Sequence, residues 1–232
     1  MPPKIFLKNE GIIALTSDAS INFVPQDFDS PLTSVQRAYL LKYCDADIPQ
    51  VFWRKQIHGE DILIARNGAG TCKGCIDADA FITDEKNLPI ALRTADCVPV
   101  FIFDPEFCVI GLAHAGWRGT YKAIAVKTVQ KMQEVFHSQP SSLKVVLGPS
   151  IRECCYLVGE EFRHYFPSHV MDREGHLYAD MISANRDQLL KAGVSKENIF
   201  DSGACTCCDN NYFSFRRDGK KAGRMISLMM LR

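Results

Sequence analysis

The sequence predicts an α+β fold in which a mixed or antiparallel β-sheet core is flanked by helices. The middle third consists of short β-branched and aromatic runs separated by Gly, Pro and Asp, which is typical of successive strands. Fewer segments show the three- and four-residue apolar spacing of helices. Several neighbouring strands are too close in sequence for a crossover helix, which argues against a doubly wound parallel sheet.

The first part of the chain is predicted to contain two strands and one helix. Segments 11–17 and 21–24 have the length and apolar character of short strands. A helix should begin at Asp29–Pro31, because Pro is favoured at the first helical position, and it should end near Asp45.

The central region is predicted to contain six strands followed by a helix. The strands are expected at 51–57, 61–65, 80–83, 88–93, 98–103 and 108–113. From Gly119 to about Phe136 the apolar residues recur at helical spacing, so this helix should lie against the sheet. Further on, we expect a strand at 143–147, a helix at 178–192 stopped by Gly193, and a terminal strand at 224–231.

Composition limits both the domain organisation and the classes of partner. The 232 residues are 47% hydrophobic and 23% charged, and no linker interrupts them, so we expect one domain over residues 1–232. Lys plus Arg and Asp plus Glu both number 27 without forming runs, which argues against a nucleic-acid partner. Without a targeting or membrane-spanning segment, we expect a cytoplasmic protein with no membrane partner. The oligomeric state cannot be predicted.

A possible metal site is formed by one thiol and two imidazoles at the ends of predicted strands. Cys97 precedes one strand and His114 ends the next, so a turn between these strands would bring the two residues together. His58 follows another predicted strand and precedes Gly59. Zn²⁺ held by only three side chains keeps a fourth position for water or substrate, whereas structural zinc sites are closed. The plainer alternatives are a buried inert cysteine and hydrogen-bonded structural histidines.

Ten cysteines are many for a chain expected in a reducing compartment, so free or metal-bound thiols are more plausible than disulfides. A rival, four-thiolate zinc site would combine Cys72 and Cys75 with Cys205, Cys207 and Cys208. The close spacing of the three downstream cysteines argues against this alternative.

Six segments of the chain carry distinctive motifs: 56–59, 79–83, 94–100, 114–119, 148–151 and 213–219. The motifs Ala-Asp-Cys-Val-Pro at 95–99 and His-Ala-Gly-Trp-Arg-Gly at 114–119 are too long to arise readily by chance. In sequence and in order, these segments resemble the peptidoglycan editing factor family. Its members are also labelled polyphenol oxidases or laccase-domain proteins and are related to FAMIN-type purine nucleoside phosphorylases.

The resemblance implies a CNF1/YfiH-like fold and a site in which His58, Cys97 and His114 are zinc ligands. It implies phosphorolysis of adenosine, inosine or methylthioadenosine to the free base and (methylthio)ribose 1-phosphate, together with adenosine deamination. The implied partners are therefore a purine nucleoside and phosphate. Copper is a less favoured cofactor, because multicopper oxidation needs more histidines than the six present.

Five further residues, two of them with an alternative, are candidates for catalysis or substrate binding in such a site. Arg118 and Arg216, with Arg217 as the alternative to Arg216, suit phosphate because a guanidinium can grip it bidentately; surface ion pairing is the plainer interpretation. Asp96 is a candidate catalytic residue that can move protons or, preferably, accept a histidine N–H, and Asp79 could act similarly.

The remaining candidates are Gln56, near the predicted ligand His58, and Trp117, whose ring could stack on a purine or simply belong to the core.

One departure from the family concerns phosphate binding. Many relatives carry an arginine followed by Gly-Gly-Val-Ser near the N-terminus, whereas residues 15–20 of this chain contain no arginine. Another residue would have to replace it, or phosphorolysis would be weaker.

Two other functions compete with the nucleoside enzyme. A metal-free cysteine hydrolase would use Cys97 as nucleophile and His114 as its base. A quality-control protein for peptidoglycan precursors would bind a nucleotide-linked peptide without turnover, as the editing label of the family suggests.

Overall fold

A computed structural model describes residues 4–7, 11–24, 31–67 and 77–232 of the chain. The strands are β1 (Lys4–Leu7), β2 (Ile12–Thr16), β3 (Ile62–Ile64), β4 (Ala80–Thr83), β5 (Ile90–Thr94), β6 (Val98–Asp104), β7 (Val109–Ala115), β8 (Lys144–Leu147), β9 (Leu157–Val158), β10 (Val170–Arg173), β11 (His176–Ala179), β12 (Ile199–Asp201) and β13 (Met225–Leu231). The helices are α1 (Ser34–Cys44), α2 (Trp117–Tyr121), α3 (Ile124–Phe136), α4 (Glu161–Tyr165), α5 (Met181–Lys191) and α6 (Phe215–Asp218), with 3-10 turns at Pro140–Ser142, Lys196–Asn198 and Gly219–Lys221.

The largest sheet is mixed and has the strand order β12-β8-β6-β7-β4-β3. Its two outermost pairs, β12 with β8 and β3 with β4, are parallel, while the inner pairs are antiparallel. The central hairpin of β6 and β7 has a continuous register in which Pro99 lies opposite His114. This register brings the start of β6 beside the end of β7.

Two smaller sheets complete the strand topology. One has the order β1-β2-β13-β5 and is antiparallel throughout, so the C-terminal strand lies between β2 and β5. The other has the order β10-β11-β9 and includes the hairpin that precedes α5.

The six-stranded and the four-stranded sheets are each covered on both faces. One face of the six-stranded sheet packs against α3 and α5 in a core that includes Val100 and Val129. Its other face packs against the four-stranded sheet in a core that includes Phe101 and Leu92. The far face of the four-stranded sheet packs against α1 through Leu40. Since alternate residues of a strand point to opposite faces, burial on both sides explains the continuously apolar strands.

The predicted α+β class, with a mixed and antiparallel core flanked by helices, is confirmed. Several element boundaries were wrong. Segments 21–24 and 51–57 are not strands, apart from one bridge at Phe52. The first helix begins at Ser34, where Thr33 and Gln36 form a capping box, and residues 29–30 lie outside the described residues.

Two predicted helices are shorter than expected. The segment 119–136 contains parts of two helices, because Ala123 interrupts it with a left-handed backbone conformation (φ 58°). In the segment 178–192, residues 178–179 belong to β11, and α5 begins after Asp180, whose side chain accepts a hydrogen bond from the backbone N–H of Ser183. Within the described residues, no helix has the length and apolar character needed to cross a bilayer.

Candidate active site

A cavity of about 760 Å³ opens where β6 begins and β7 ends. Its wall includes His58, Cys97 and His114, together with five further residues predicted for the site: Gln56, Asp96, Trp117, Arg118 and Arg216. A volume in this range is typical of pockets that enclose small-molecule ligands. The structure therefore brings residues that are up to 160 positions apart in sequence into one cavity wall.

The β6–β7 hairpin positions the thiol and the buried imidazole. Cys97 directly precedes β6, and His114 is the penultimate residue of β7, opposite Pro99. His114 is 3% exposed, and its backbone N–H donates to the carbonyl oxygen of Asp79 at 2.7 Å. The expected approach of the two strand ends is therefore present in the structure.

The buried carboxylate of Asp79 holds both histidines in place. One of its oxygens lies 2.8 Å from Nδ1 of His114, which directs Nε2 of that ring to the thiol side. The same carboxylate accepts backbone N–H bonds from Ile57, His58 and Gly59 at 3.1, 3.0 and 2.7 Å. These bonds fix a turn in which His58 has a left-handed conformation (φ 57°). A carboxylate behind a ligand histidine is a common arrangement at metal sites.

The donor atoms of the three side chains are close enough to bind a single ion. All three lie within 4.8 Å of one another, and Sγ of Cys97 is 3.8 Å from Nε2 of His58. Tetrahedral zinc with nitrogen at 2.0–2.1 Å and sulfur at 2.3 Å places neighbouring ligand atoms about 3.3–3.8 Å apart. Two imidazoles and one thiolate are ligands that zinc accepts, so the residues fit this ion and leave one coordination position open.

Cys97 and His114 perturb each other's ionisation. Burial raises the pKa of Cys97, but the charge of His114 and hydrogen bonds from His114 and His58 outweigh this and lower the pKa to about 6. Burial lowers the pKa of His114, yet the charge of Cys97 and hydrogen bonds to Asp79 and Cys97 raise it to about 9. Without metal, the pair is therefore a thiolate and an imidazolium at neutral pH.

Asp96 has a different role from the preferred prediction. Its carboxylate accepts a hydrogen bond from the hydroxyl of Thr206 and another from the backbone N–H of Arg216, both at 2.6 Å. The histidine partner is Asp79, so the assignment of a histidine contact to Asp96 was wrong. Asp96 directly precedes Cys97, and Asp79 directly precedes β4. Their positions in the sequence could not show which of the two carboxylates contacts a histidine.

Trp117 and Arg118 form one part of the wall. The guanidinium carbon of Arg118 lies 4.3 Å from the centre of the Trp117 ring. The same ring packs against Phe162 and Tyr165, with centroids 5.3 and 5.4 Å away. Trp117 is therefore partly a core residue, as the plainer interpretation had it, while one part of it lines the cavity.

Gln56 and Arg216 line the cavity but also bind the backbone. The side-chain amide of Gln56 both donates to and accepts from the backbone of Arg93, at 2.9 Å in each case. Nη1 of Arg216 donates to the carbonyl oxygen of Leu157, and its guanidinium lies over the ring of Tyr156. For Gln56 this means that both polar side-chain atoms already have partners.

Arg217 is not part of the cavity wall in the structure. Its guanidinium donates to the carbonyl oxygens of Thr206 and Tyr212 and forms an ion pair with Asp218. Surface ion pairing, the plainer interpretation of these arginines, therefore describes Arg217, while Arg216 faces the cavity.

Three cations in the wall were missed by sequence reasoning: Arg93, Lys220 and Arg224. Arg93 lies in β5, and burial together with the charge of Arg224 lowers its pKa to about 10. Among the lining residues, five cations thus face one carboxylate, that of Asp96. Arg93 directly precedes the segment 94–100 and Lys220 directly follows the segment 213–219, but no local pattern distinguishes cations that face a cavity from those at the surface.

A sequence model of a known family, described as multi-copper polyphenol oxidoreductase laccase, matches residues 6–232. The chain belongs to this family. The match spans the whole cavity wall, including the hairpin that carries Cys97 and His114. It also confirms the predicted resemblance to polyphenol oxidase or laccase-domain proteins.

Relatives in this laccase family are named for another activity. A purine nucleoside phosphorylase of Clostridium acetobutylicum is 36% identical over 79% of this chain and 78% of its own length. One of Deinococcus radiodurans is 31% identical over 99% of this chain and 89% of its own. The crystal structure of YlmD from Geobacillus stearothermophilus matches with a TM-score of 0.82 and 30% identity, covering 96% of this chain and 92% of that one.

The donor set of the candidate site differs from what the copper in the family description suggests. Of the six histidines, only His58 and His114 belong to a group of three or more possible metal ligands within the described part of the chain. They share this group with one thiol, which makes a set for a single ion. The site therefore has a candidate metal centre of limited size, and its donors suit zinc.

Proposed function

We propose that this chain is a zinc-dependent purine nucleoside phosphorylase. Its substrates would be adenosine, inosine or methylthioadenosine, and its products the free base and (methylthio)ribose 1-phosphate. The single observation that carries the proposal is the cavity in which the group of His58, Cys97 and His114 opens beside a strongly cationic wall. The names of the relatives support the same reaction.

Phosphate binding is supported by the balance of charge in the wall. Burial, together with repulsion from the nearby Arg224, lowers the pKa of Arg93. Further positive charge in the wall comes from Arg118, Arg216 and Lys220. A phosphate dianion would relieve this repulsion and accept bidentate hydrogen bonds from arginine. We infer that these cations take the place of the arginine that is missing at residues 15–20.

Phosphorolysis breaks the bond between C1′ of ribose and the purine nitrogen and forms a bond from C1′ to a phosphate oxygen. The purine leaves with the electron pair and takes up the proton that hydrogen phosphate gives up, so atoms and charge balance. The ribose passes through an oxocarbenium-like state, and the Asp96 carboxylate in the wall supplies negative charge to stabilise it. The cations hold phosphate in position to attack C1′ of the ribose. The reaction therefore proceeds from a fixed geometry and does not depend on a chance encounter of two molecules in solution. A zinc ion bound by the three side chains would supply a Lewis acid with one open position.

The purine would lie against the aromatic part of the wall, where Trp117, Tyr156 and Phe215 line the cavity. Aromatic side chains suit a flat base because offset stacking is favourable.

We also propose adenosine deamination at the same site. Both reactions start from adenosine, and their products, adenine and inosine, are chemically distinct.

One incubation tests the proposal. Purified protein is incubated with adenosine, with and without phosphate, and the products are separated by chromatography. We expect phosphate-dependent adenine, phosphate-independent inosine, and loss of both in His114→Ala. His164→Ala, an exposed histidine in α4, is the matched control and should retain turnover. Absence of turnover with adenosine, inosine and methylthioadenosine would reject the proposal.

The thiolate–imidazolium pair favours a second candidate, a metal-free cysteine hydrolase. In that enzyme Cys97 would be the nucleophile and His114 the acid and base. The two candidates respond differently to chelation. A chelator should abolish the activity of the zinc enzyme, while a thiol hydrolase should remain active and be inactivated by alkylation of Cys97.

A further inference from the structure

Outside the cavity, four cysteines from two loops form a second group of possible metal ligands: Cys154, Cys155, Cys205 and Cys208. Cys154 and Cys155 lie between β8 and β9, and the other two follow β12. All four sulfur atoms lie within 4.8 Å of one another. The cysteines are free thiols in the structure.

The distances between these sulfurs are close to, and somewhat shorter than, those around one tetrahedral ion. Sγ of Cys154 lies 3.7, 3.6 and 3.5 Å from the sulfurs of Cys155, Cys205 and Cys208. The distance from Cys155 to Cys208 is 3.1 Å. Four thiolates at 2.3 Å from zinc have sulfur–sulfur distances of about 3.8 Å. The four sulfurs are too close together to surround an iron–sulfur cluster, which contains several atoms.

The two loops are held together by contacts that do not involve sulfur. Arg152 forms two hydrogen bonds of 2.7 Å with the carboxylate of Asp201. The backbone N–H of Thr206 donates to the carbonyl oxygen of Ser150 at 3.0 Å. The backbone therefore brings the thiols together in advance, which lowers the entropic cost of binding an ion.

We propose that these four cysteines bind one zinc ion as a closed structural site, separate from the candidate site in the cavity. Four protein ligands leave no open position, which is the arrangement of structural zinc. Cys205 and Cys208 have the two-residue spacer common in such sites, a spacing that the sequence interpretation overlooked. Cys207 is outside the group, and Cys72 and Cys75 lie outside the described residues.

The proposed zinc would stabilise one wall of the cavity. Thr206, between two of the ligands, donates its hydroxyl to the carboxylate of Asp96 at 2.6 Å. Ile151, in the other loop, donates its backbone N–H to the carbonyl oxygen of Asp96 at 2.9 Å. Asp96 directly precedes Cys97, so the two metal sites are linked through a single residue.

Metal content of the full chain tests the proposal. Protein purified under reducing conditions is analysed by mass spectrometry for metals, and we expect two zinc ions per chain. The double variant Cys205→Ser, Cys208→Ser should retain one and have a lower Tm. Cys207→Ser, from the same loop, is the matched control and should retain two. These measurements do not depend on nucleoside turnover, so their failure is distinct from failure of the proposed phosphorylase.

A second measurement covers the case in which the double variant does not fold. Cys97→Ser disrupts the cavity site, and X-ray absorption of its remaining zinc should show four sulfur ligands at about 2.3 Å. Three results would overturn the proposal: one zinc ion in the wild-type chain with none in Cys97→Ser, iron in place of zinc, or a disulfide between Cys155 and Cys208 in the purified protein.

Discussion

At the scale of single residues, Asp79 determines the geometry of the candidate site. Its buried carboxylate contacts His114 and three consecutive backbone N–H groups of the turn that carries His58. Burial raises the pKa of Asp79, but the hydrogen bonds from His114 and the backbone outweigh this and lower it. The carboxylate therefore remains charged, and this charge in turn favours a protonated His114 when no metal is bound.

The first prediction concerns the pH dependence of Cys97 in metal-free protein. Its pKa is lowered to about 6 in the folded chain, compared with about 8.5 for an ordinary thiol. Iodoacetamide should therefore alkylate Cys97 with a midpoint near pH 6, measured by peptide mass spectrometry. In denaturant the midpoint should return to that of an ordinary thiol. Equal midpoints in the two states would contradict the proposed ion pair.

The same shifts give the sign of the effect on stability. The lowered pKa of Cys97 contributes stability that is fully present above the unfolded value and is lost as the pH falls through about 6. The raised pKa of His114 contributes stability that is present below its unfolded value and is lost as the pH rises through about 9. Because each shift is caused largely by the charge of the other group, both contributions require the thiolate and the imidazolium together, and the metal-free pair stabilises the fold mainly between about pH 6 and about pH 9.

At the scale of secondary-structure elements, the junction of β7 and α2 is tightly packed against the candidate ligands. Gly116 connects the two elements and caps α2. A Cβ at this position would lie 2.9 Å from Sγ of Cys97 and 3.0 Å from Cδ2 of His58. Only glycine lets the backbone approach the group this closely, which explains its place in the motif that follows His114.

The second prediction follows from this contact. Gly116→Ala should displace Cys97 or His58 and lower zinc affinity at the cavity site by about tenfold or more, as loss of ligand orientation does. Competition with a chromophoric chelator measures the affinity. Gly175→Ala, in the β10–β11 turn, is the control: its positive φ (78°) strains any side chain, but a Cβ there meets nothing within 4 Å, so the affinity should be unchanged even if stability falls. An unchanged affinity in Gly116→Ala would show that the ligands can shift without cost.

At the scale of the whole molecule, the packed sheets hold the hairpin of the candidate site in place. Every residue of β6 and β7 is buried, because the hairpin lies between α3 and α5 on one side and the four-stranded sheet on the other. Catalytic groups that must be held within fractions of an ångström are best carried by rigid elements of this kind.

The third prediction tests that packing. Phe101 is 1% exposed and lies in the core between the sheets. Phe101→Ala should lower the free energy of unfolding by about 3–5 kcal/mol, measured by chemical denaturation. Phe107→Ala, in the turn of the same hairpin and 45% exposed, should change it by less than about 0.5 kcal/mol. Similar losses in both variants would contradict the assigned core.

Local patterns predicted the continuously apolar strands well and the irregular segments poorly. β4 to β7 were expected within one or two residues of their observed bounds, because strand alternation and burial act over a few neighbouring residues. The segment 51–57 was predicted as a strand because it is apolar, yet only Phe52 forms a bridge. Val51, Phe52 and Trp53 belong to cores made by distant segments, and a short window does not contain that information.

The α+β class, the family and the three residues that could bind a metal were all predictable from the order of amino acids, because motifs and strand patterns are local. That Asp79, and not Asp96, contacts His114 became evident only from the folded chain. The folded chain likewise decided which arginines face the cavity and which cysteines lie together. These contacts join segments that are distant in sequence. They are determined by strand order and loop paths, which the residues next to each site do not encode.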